Sequence, residues 1–236
     1  TLAMGGTSNL TVAPSLYEKL TYDPLKDVTP IINVAAVPYA LAVNPTVPAK
    51  TARELIPIAS RKTGYLSYGS SGMGSMSSLA AELFKSMSKT QIVHVPYKGT
   101  APALTDVMGG HVQLLIDSVI TLLPAARAGK VKALAITSSK RSSLAPDVPT
   151  AAESGMPSLA FESWFGFFGP KGMPPDVVAK LNAVFNETSQ KLAAENRLAE
   201  LGVEPVAETP EAFDRFVRDQ VARGTRLLQS AGFKPE

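Results

Sequence analysis

Along the chain, short apolar or β-branched runs alternate with segments whose apolar positions recur at helical spacing. Thr1–Met4 reads as the stub of a strand. Pro30–Val43 reads as one strand leading into another across Pro38, and Leu66–Gly69, Ile92–Val95, Val112–Ile116, Val131–Thr137 and Trp164–Gly169 complete the strands. Between them lie predicted helices. Val12–Leu20 is short. Thr51–Lys62 carries a capping box of Thr51 and Glu54 and is expected to stop at Gly64. Ser75–Ser88 places Leu79, Leu83 and Met87 on one face. Thr100–Met108 is stopped by Gly109-Gly110, and Leu122–Ala128 follows. Thr150 and Glu153 predict the cap of another short helix. Pro174–Glu200 is helical with a break, and Thr209-Pro210 opens the last helix with proline at its favoured first position.

Strands alternating with short helices predict an α/β fold with mostly parallel sheets. Tyr39–Pro45 and Phe161–Pro170 are extended, apolar and bounded by proline, as paired crossovers between two lobes would be. They divide the chain into a discontinuous domain, residues 1–42 plus 167–236, and an inserted one, residues 43–166.

Composition narrows the function. Hydrophobic residues make up 45% of the 236 positions, enough for a packed core, while charged residues make up only 18%. The net charge is +3, and the 23 Lys and Arg are scattered without interleaved aromatics, which argues against a nucleic-acid partner. Without cysteine there is no disulfide, zinc–thiolate site or thiol nucleophile. No apolar run approaches the ~20 residues of a membrane span. The opening Thr-Leu-Ala-Met-Gly-Gly-Thr-Ser reads as a strand end running into a glycine turn, so the first domain is expected to be incomplete.

Three glycine-containing loops each precede a helix. They are Gly5-Gly6-Thr7-Ser8-Asn9, Gly69-Ser70-Ser71-Gly72-Met73-Gly74-Ser75 and Tyr97-Lys98-Gly99-Thr100-Ala101-Pro102-Ala103. A helix start offers unpaired N–H groups and about half a positive charge, glycine lets backbone approach a ligand, and hydroxyls add donors. Several such starts converging would hold an anion without a cationic side chain. Taken alone, each loop is more often just an ordinary way to begin a helix. The second loop is not a P-loop, and Met73 spoils the G-x-S-x-G spacing of a nucleophile elbow. Asp117 ends an apolar strand, where it either rims a ligand site or caps the helix that follows at Ser118. His94, between valines, reads as structural, and two histidines without matching carboxylates give no metal site. Trp164 either walls a pocket or packs beneath the crossover. Lys98 is as readily a solvated loop lysine as a ligand partner. The competing reading is a serine-dependent α/β hydrolase or acyltransferase using Ser71. A triad of Ser70 or Ser71 with His94 and an aspartate can be imagined, but sequence order and spacing do not support it.

At these loops the chain resembles the Bug-type receptors of tripartite tricarboxylate transporters, periplasmic solute-binding proteins of Gram-negative bacteria. The resemblance is carried by "SLYEKLTYDPLKDVTPI", "VNPTVPAKTARELI", "YGSSGMGSMSSLAAELFK", "IVHVPYKGTAPALTDVMGGHVQLLIDS", "GKVKALAITSSKRSSLAPDVPTAAESGMP", "SWFGFFGPKGMP" and "LAELGVEPVAETPEAF", which run nearly end to end. It implies a two-domain, type II Venus-flytrap fold of the periplasmic-binding-protein kind. It also implies capture of a small carboxylate or amino-acid-like ligand without catalysis, cofactor or metal. The partner it implies is a membrane permease or a sensor kinase. It places binding positions at Thr7 and Ser8, at Ser70, Ser71, Gly72, Gly74 and Ser75, at Gly99, Thr100, Ala101 and Pro102, and at Asp117, and Trp164 joins them as a candidate wall. The resemblance also implies a further N-terminal βαβα stretch with a Pro-Pro-Gly-Gly turn, and the domain that holds Thr1 is expected to be without it. Dicarboxylates, amino acids and a neutral amide such as nicotinamide all remain open as ligands.

Overall fold

A computed structural model describes residues 1–61, 65–142, 145–200, 203 and 205–230. The chain forms two compact units: Thr1–Ala36 with Ser163–Glu236 (unit 1), and Val37–Glu162 (unit 2). The junctions, 36/37 and 162/163, fall a few residues before those expected at 42/43 and 166/167.

In chain order the elements are β1 (Ala3–Gly6), a π-helical turn (Thr7–Val12), α1 (Ala13–Leu16), β2 (Val28–Val43), α2 (Ala52–Ala59), β3 (Ser67–Ser70), α3 (Met76–Ser88) and β4 (Val93–Pro96). There follow α4 (Thr100–Gly109), β5 (Leu114–Ser118), α5 (Val119–Arg127), β6 (Lys132–Ile136), β7 (Glu162–Pro170), α6 (Pro175–Ala194), α7 (Arg197–Glu200) and α8 (Pro210–Ser230).

Unit 2 is a three-layer sandwich. Within β2, Tyr39, Leu41 and Val43 face one core while Ala40 and Ala42 face another, so this end of the strand is apolar at every position. The first core is closed by Leu55 and Ile58 of α2 and by Ala80, Ala81 and Phe84 of α3. The second is closed by Ala103 and Val107 of α4 and by Val119, Leu122 and Leu123 of α5. Each large apolar side chain fully removed from water contributes about 1.5–3 kcal/mol. Strands β5, β3 and β4 run parallel, with Gly69 opposite Leu115 and Ser70 opposite Pro96. Strand β2 pairs antiparallel with both β5 and β6. The sheet is therefore mixed, and its parallel part is the set built by the strand–helix–strand crossovers.

Unit 1 pairs β1 antiparallel with β7, from Ala3 opposite Phe168 to Gly6 opposite Phe165. Its core holds Leu10, Trp164, Phe168, Phe213 and Val217. Trp164 meets Phe213 and Phe216 edge-on at centroid distances of 5.8 and 5.5 Å, a favoured aromatic geometry.

Several predicted elements change shape. Pro30–Val43 is a single strand, not two, and begins at Val28. The expected Val12–Leu20 helix is a π-helical turn followed by one α-turn. Helix α2 closes at Ala59, and the stop expected at Gly64 lies outside the described residues. Thr150 and Glu153 do bond reciprocally, at 2.7 and 3.1 Å, yet only a turn forms, because Gly155 at φ +79° leaves the helical region. The break expected in Pro174–Glu200 falls at Asn196, which takes φ +58° between α6 and α7. Helix α8 opens as predicted: Thr209 Oγ1 accepts the Ala212 N–H at 3.2 Å, with Pro210 at the first position.

Candidate functional site

Strands β3, β4 and β5 each lead at their C-terminal ends into a helix, so the first turns of α3, α4 and α5 gather at one edge of the parallel set. This is where open α/β sheets bind ligands. Backbone hydrogen bonds tie the 69–75 and 97–103 loops together: Tyr97 N–H donates to Ser70 O at 3.0 Å, and Gly99 N–H to Ser71 O at 3.2 Å. Gly69 leaves little room for a side chain, since a Cβ there would stand 3.2 Å from that of Ala103. Gly72 and Gly74 take φ +139° and +67°, which turn the chain from β3 into α3.

Serines hold this turn in shape. Ser75 caps α3, accepting the Ser78 N–H at 3.2 Å and donating to Gly72 O at 2.7 Å. The buried Ser77 hydroxyl accepts the Ser71 N–H at 2.8 Å and lies 3.0 Å from Ser71 Oγ and 3.1 Å from Ser75 Oγ. Asp117, only 6% exposed, joins the three helix starts. Its Oδ2 accepts from Thr100 Oγ1 at 3.0 Å and its Oδ1 from Ser118 N–H at 2.7 Å. Burial raises the Asp117 pKa, opposed by hydrogen bonds from Ser118, Thr100 and Ser77. Ser118 in turn caps α5 through the Ile120 N–H. Asp117 therefore meets the N–H of the residue that caps α5 and fastens Thr100 at the start of α4. On the flank, Tyr97 donates to Asp106 Oδ2 at 2.6 Å. Burial, aided by that carboxylate, pushes its phenol up to about 12.

Of the predicted positions, Ser70, Ser71, Gly72, Gly74, Ser75, Gly99, Thr100 and Asp117 are thus brought together. Ala101 and Pro102 lie exposed in the first turn of α4, where Pro102 has no N–H to offer. Thr7, Ser8 and Trp164 belong to unit 1. There Thr7 is buried and its Oγ1 accepts the Trp164 N–H at 2.9 Å, while Ser8 is exposed. Trp164, 1% exposed among phenylalanines, is a core residue and not the wall of an open pocket.

One contributor, Ser77, escaped the sequence reading, and the pairing of Ser70 with His94, which spacing does not support, is present, with Oγ and Nε2 2.7 Å apart. A small polar residue just inside a helix start, as at Ser77, was the available signal. Ser71, the hydrolase nucleophile of the competing reading, bonds Ser77 and not His94. The histidine instead meets the fully buried Ser70. No carboxylate is hydrogen-bonded to the His94 ring among the described residues. Among those residues no cluster of three or more His, Asp or Glu is arranged to hold a metal ion, and no helix is long and apolar enough to cross a membrane.

Fold and site together define a solute-binding receptor of the α/β periplasmic-binding-protein class. Residues 1–233 match the tripartite tricarboxylate transporter family receptor, and the chain belongs to that family, whose members are receptors and not enzymes. Protein BugT of Bordetella pertussis is 34% identical over 233 residues, which are 99% of this chain and 72% of that protein. Among solved structures, a protein of R. palustris with adipate superposes with a TM-score of 0.88 at 35% identity, covering 100% of this chain and 79% of that one. MatC from Rhodopseudomonas palustris with bound malate gives 0.81 at 33% identity, covering 97% and 79%. The periplasmic binding protein BugD gives 0.82 at 30%, covering 100% and 79%.

Proposed function

We propose that this receptor captures a small dicarboxylate at the C-terminal edge of β5-β3-β4, in the periplasm, and passes it to the membrane permease of a tripartite transporter. One observation carries the reading: three helix starts meet around Asp117, Thr100 and Ser77. The first N–H groups of α3 and α4 have no intrahelical partner, and a carboxylate placed before them meets donors and two aligned helix dipoles. Asp117 serves as scaffold. Each of its oxygens accepts from a different helix start, Thr100 on one and Ser118 on the other, so it fixes the start of α4 relative to that of α5. The adipate and malate bound by the structural neighbours support a dicarboxylate of short chain.

Isothermal titration of the full-length mature protein with malate, adipate, succinate and amino acids tests the reading. Stoichiometric binding of at least one dicarboxylate, with no turnover, is expected. Asp117→Ala and Thr100→Pro should each weaken it about tenfold or more, since a charge-assisted hydrogen bond is worth about 1.5–3 kcal/mol. Unchanged affinity in both variants would move the site elsewhere.

A further inference from the structure

The Ser70–His94 pair lies outside the Asp117 hub, yet it reaches the same loop. Ser70 is the last residue of β3 and has no exposed surface. Its hydroxyl has three polar neighbours: His94 Nε2 at 2.7 Å, the N–H of Gly72 at 3.2 Å and the carbonyl of Gly72 at 3.1 Å. Two of the three belong to one peptide segment, at the residue where the turn enters φ +139°. The His94 ring is fixed from its other side. It lies on Tyr68 with centroids 4.5 Å apart and planes 5° from parallel. Tyr68 is itself tied by its hydroxyl to Glu82, which Lys85 also holds. A rigid ring on β4 therefore aims one nitrogen at a hydroxyl on β3, and that hydroxyl receives the first N–H of the positive-φ turn.

We propose that His94 is a positioning residue for ligand binding, acting through the buried hydroxyl of Ser70 to fix the Gly72 peptide. The effect on affinity rests on the site proposed above, while the effect on Gly72 does not. The link holds for either ring tautomer. With Nε2 bare, Ser70 donates to it. With Nε2 protonated, the ring donates to Ser70, whose hydrogen turns to the Gly72 carbonyl. In both arrangements the Ser70 oxygen stays where the Gly72 N–H can reach it. Gly72 O also accepts from Ser75, the cap of α3, so displacing the Gly72 peptide displaces the start of that helix. Losing the nitrogen leaves a buried hydroxyl without its shortest partner and frees the turn to move.

Packing alone would give His94 no such role, and two variants separate the cases. His94→Phe keeps a ring over Tyr68 and removes the nitrogen. His94→Gln loses the ring and restores a polar group at similar reach. Each is made in the full-length protein and read by titration with malate and adipate and by the ligand-free Gly72 amide resonance. Phe should weaken binding about tenfold and shift the Gly72 amide. Gln should stay within about threefold of the parent and leave that amide near its original position. Ser70→Ala should resemble His94→Phe, and adding the second change to the first should cost nothing further. Parental affinity and an unmoved Gly72 amide in His94→Phe would overturn the proposal. So would a Gln variant as impaired as Phe, or losses that add in the double variant. If the parent binds none of the ligands, the dicarboxylate reading fails, and the Gly72 resonance still decides whether His94 positions the turn.

Discussion

Two glycine–threonine pairs follow strands in this chain, Gly6-Thr7 in unit 1 and Gly99-Thr100 in unit 2, and they look interchangeable on paper. Their physics is opposite. Gly6 has ordinary extended backbone, at φ −172°, but a Cβ there would stand 2.4 Å from the Trp164 carbonyl oxygen. Gly99 has open space around its Cα and takes φ +110°. The first glycine is demanded by crowding and the second by conformation. Thr7 turns its hydroxyl inward to the Trp164 N–H, whereas Thr100 gives its hydroxyl to Asp117 at the edge of the sheet. A small residue before a hydroxyl marks a close approach of backbone. Whether protein or ligand makes that approach is decided by what the rest of the unit puts opposite.

Substitutions at matched positions can break the contrast. The largest effect should come from Gly6→Ala. Its clash is with backbone, so relief requires moving β7, and denaturant unfolding should register a loss of about 3 kcal/mol or more. Gly99→Ala meets no atom and suffers only backbone strain, about 1–2 kcal/mol, with weakened ligand binding as its main symptom. Thr7→Val leaves the buried Trp164 N–H without an acceptor and should cost about 1–3 kcal/mol of stability. The equivalent Thr100→Val takes a donor from the buried Asp117 carboxylate and should cost about 1.5–3 kcal/mol, but unlike Thr7→Val it should also lower ligand affinity in titration. If Thr7→Val and Thr100→Val proved equal in both measurements, the assignment of one to packing and the other to binding would be lost.

The smallest effect concerns acid. Because burial raises the Asp117 pKa, the folded protein holds this proton more tightly than the unfolded chain. The resulting stabilisation is full below the ordinary carboxylate value of 3.8 and fades as pH rises through the folded value. Asp117→Asn should remove this contribution. Melting temperatures of parent and variant measured across that window should therefore diverge, with the parent losing ground as pH increases.

Most of unit 2 was legible in the sequence because its strands and helices alternate cleanly and its caps are of standard types, such as Thr51 with Glu54 and Ser75 at α3. The two loops that meet at the site were legible for the same reason: glycine and hydroxyl residues immediately precede helical spacing. Ser77 was not, and the Ser70–His94 pair could be raised but not supported. Their roles depend on which strands lie side by side, here β3 between β4 and β5, and no local pattern encodes that order. Trp164 was ambiguous because a single tryptophan buries large area against a ligand or in a core, with packing the favoured reading. The packing of α8 against it, through Phe213 and Phe216, comes from residues about fifty positions downstream. The long β2 was divided at Pro38 by a rule that applies to central strands, although here the strand passes from one unit into the other near that residue.

That passage bears on how the polypeptide matures. Unit 2 is contiguous, so a nascent chain can assemble it as soon as residue 162 is available. The β1–β7 pairing of unit 1 comes later, because Ala3 meets Phe168 across the whole intervening sequence. That pairing is a long-range contact, and it can close only after the contiguous unit has been made.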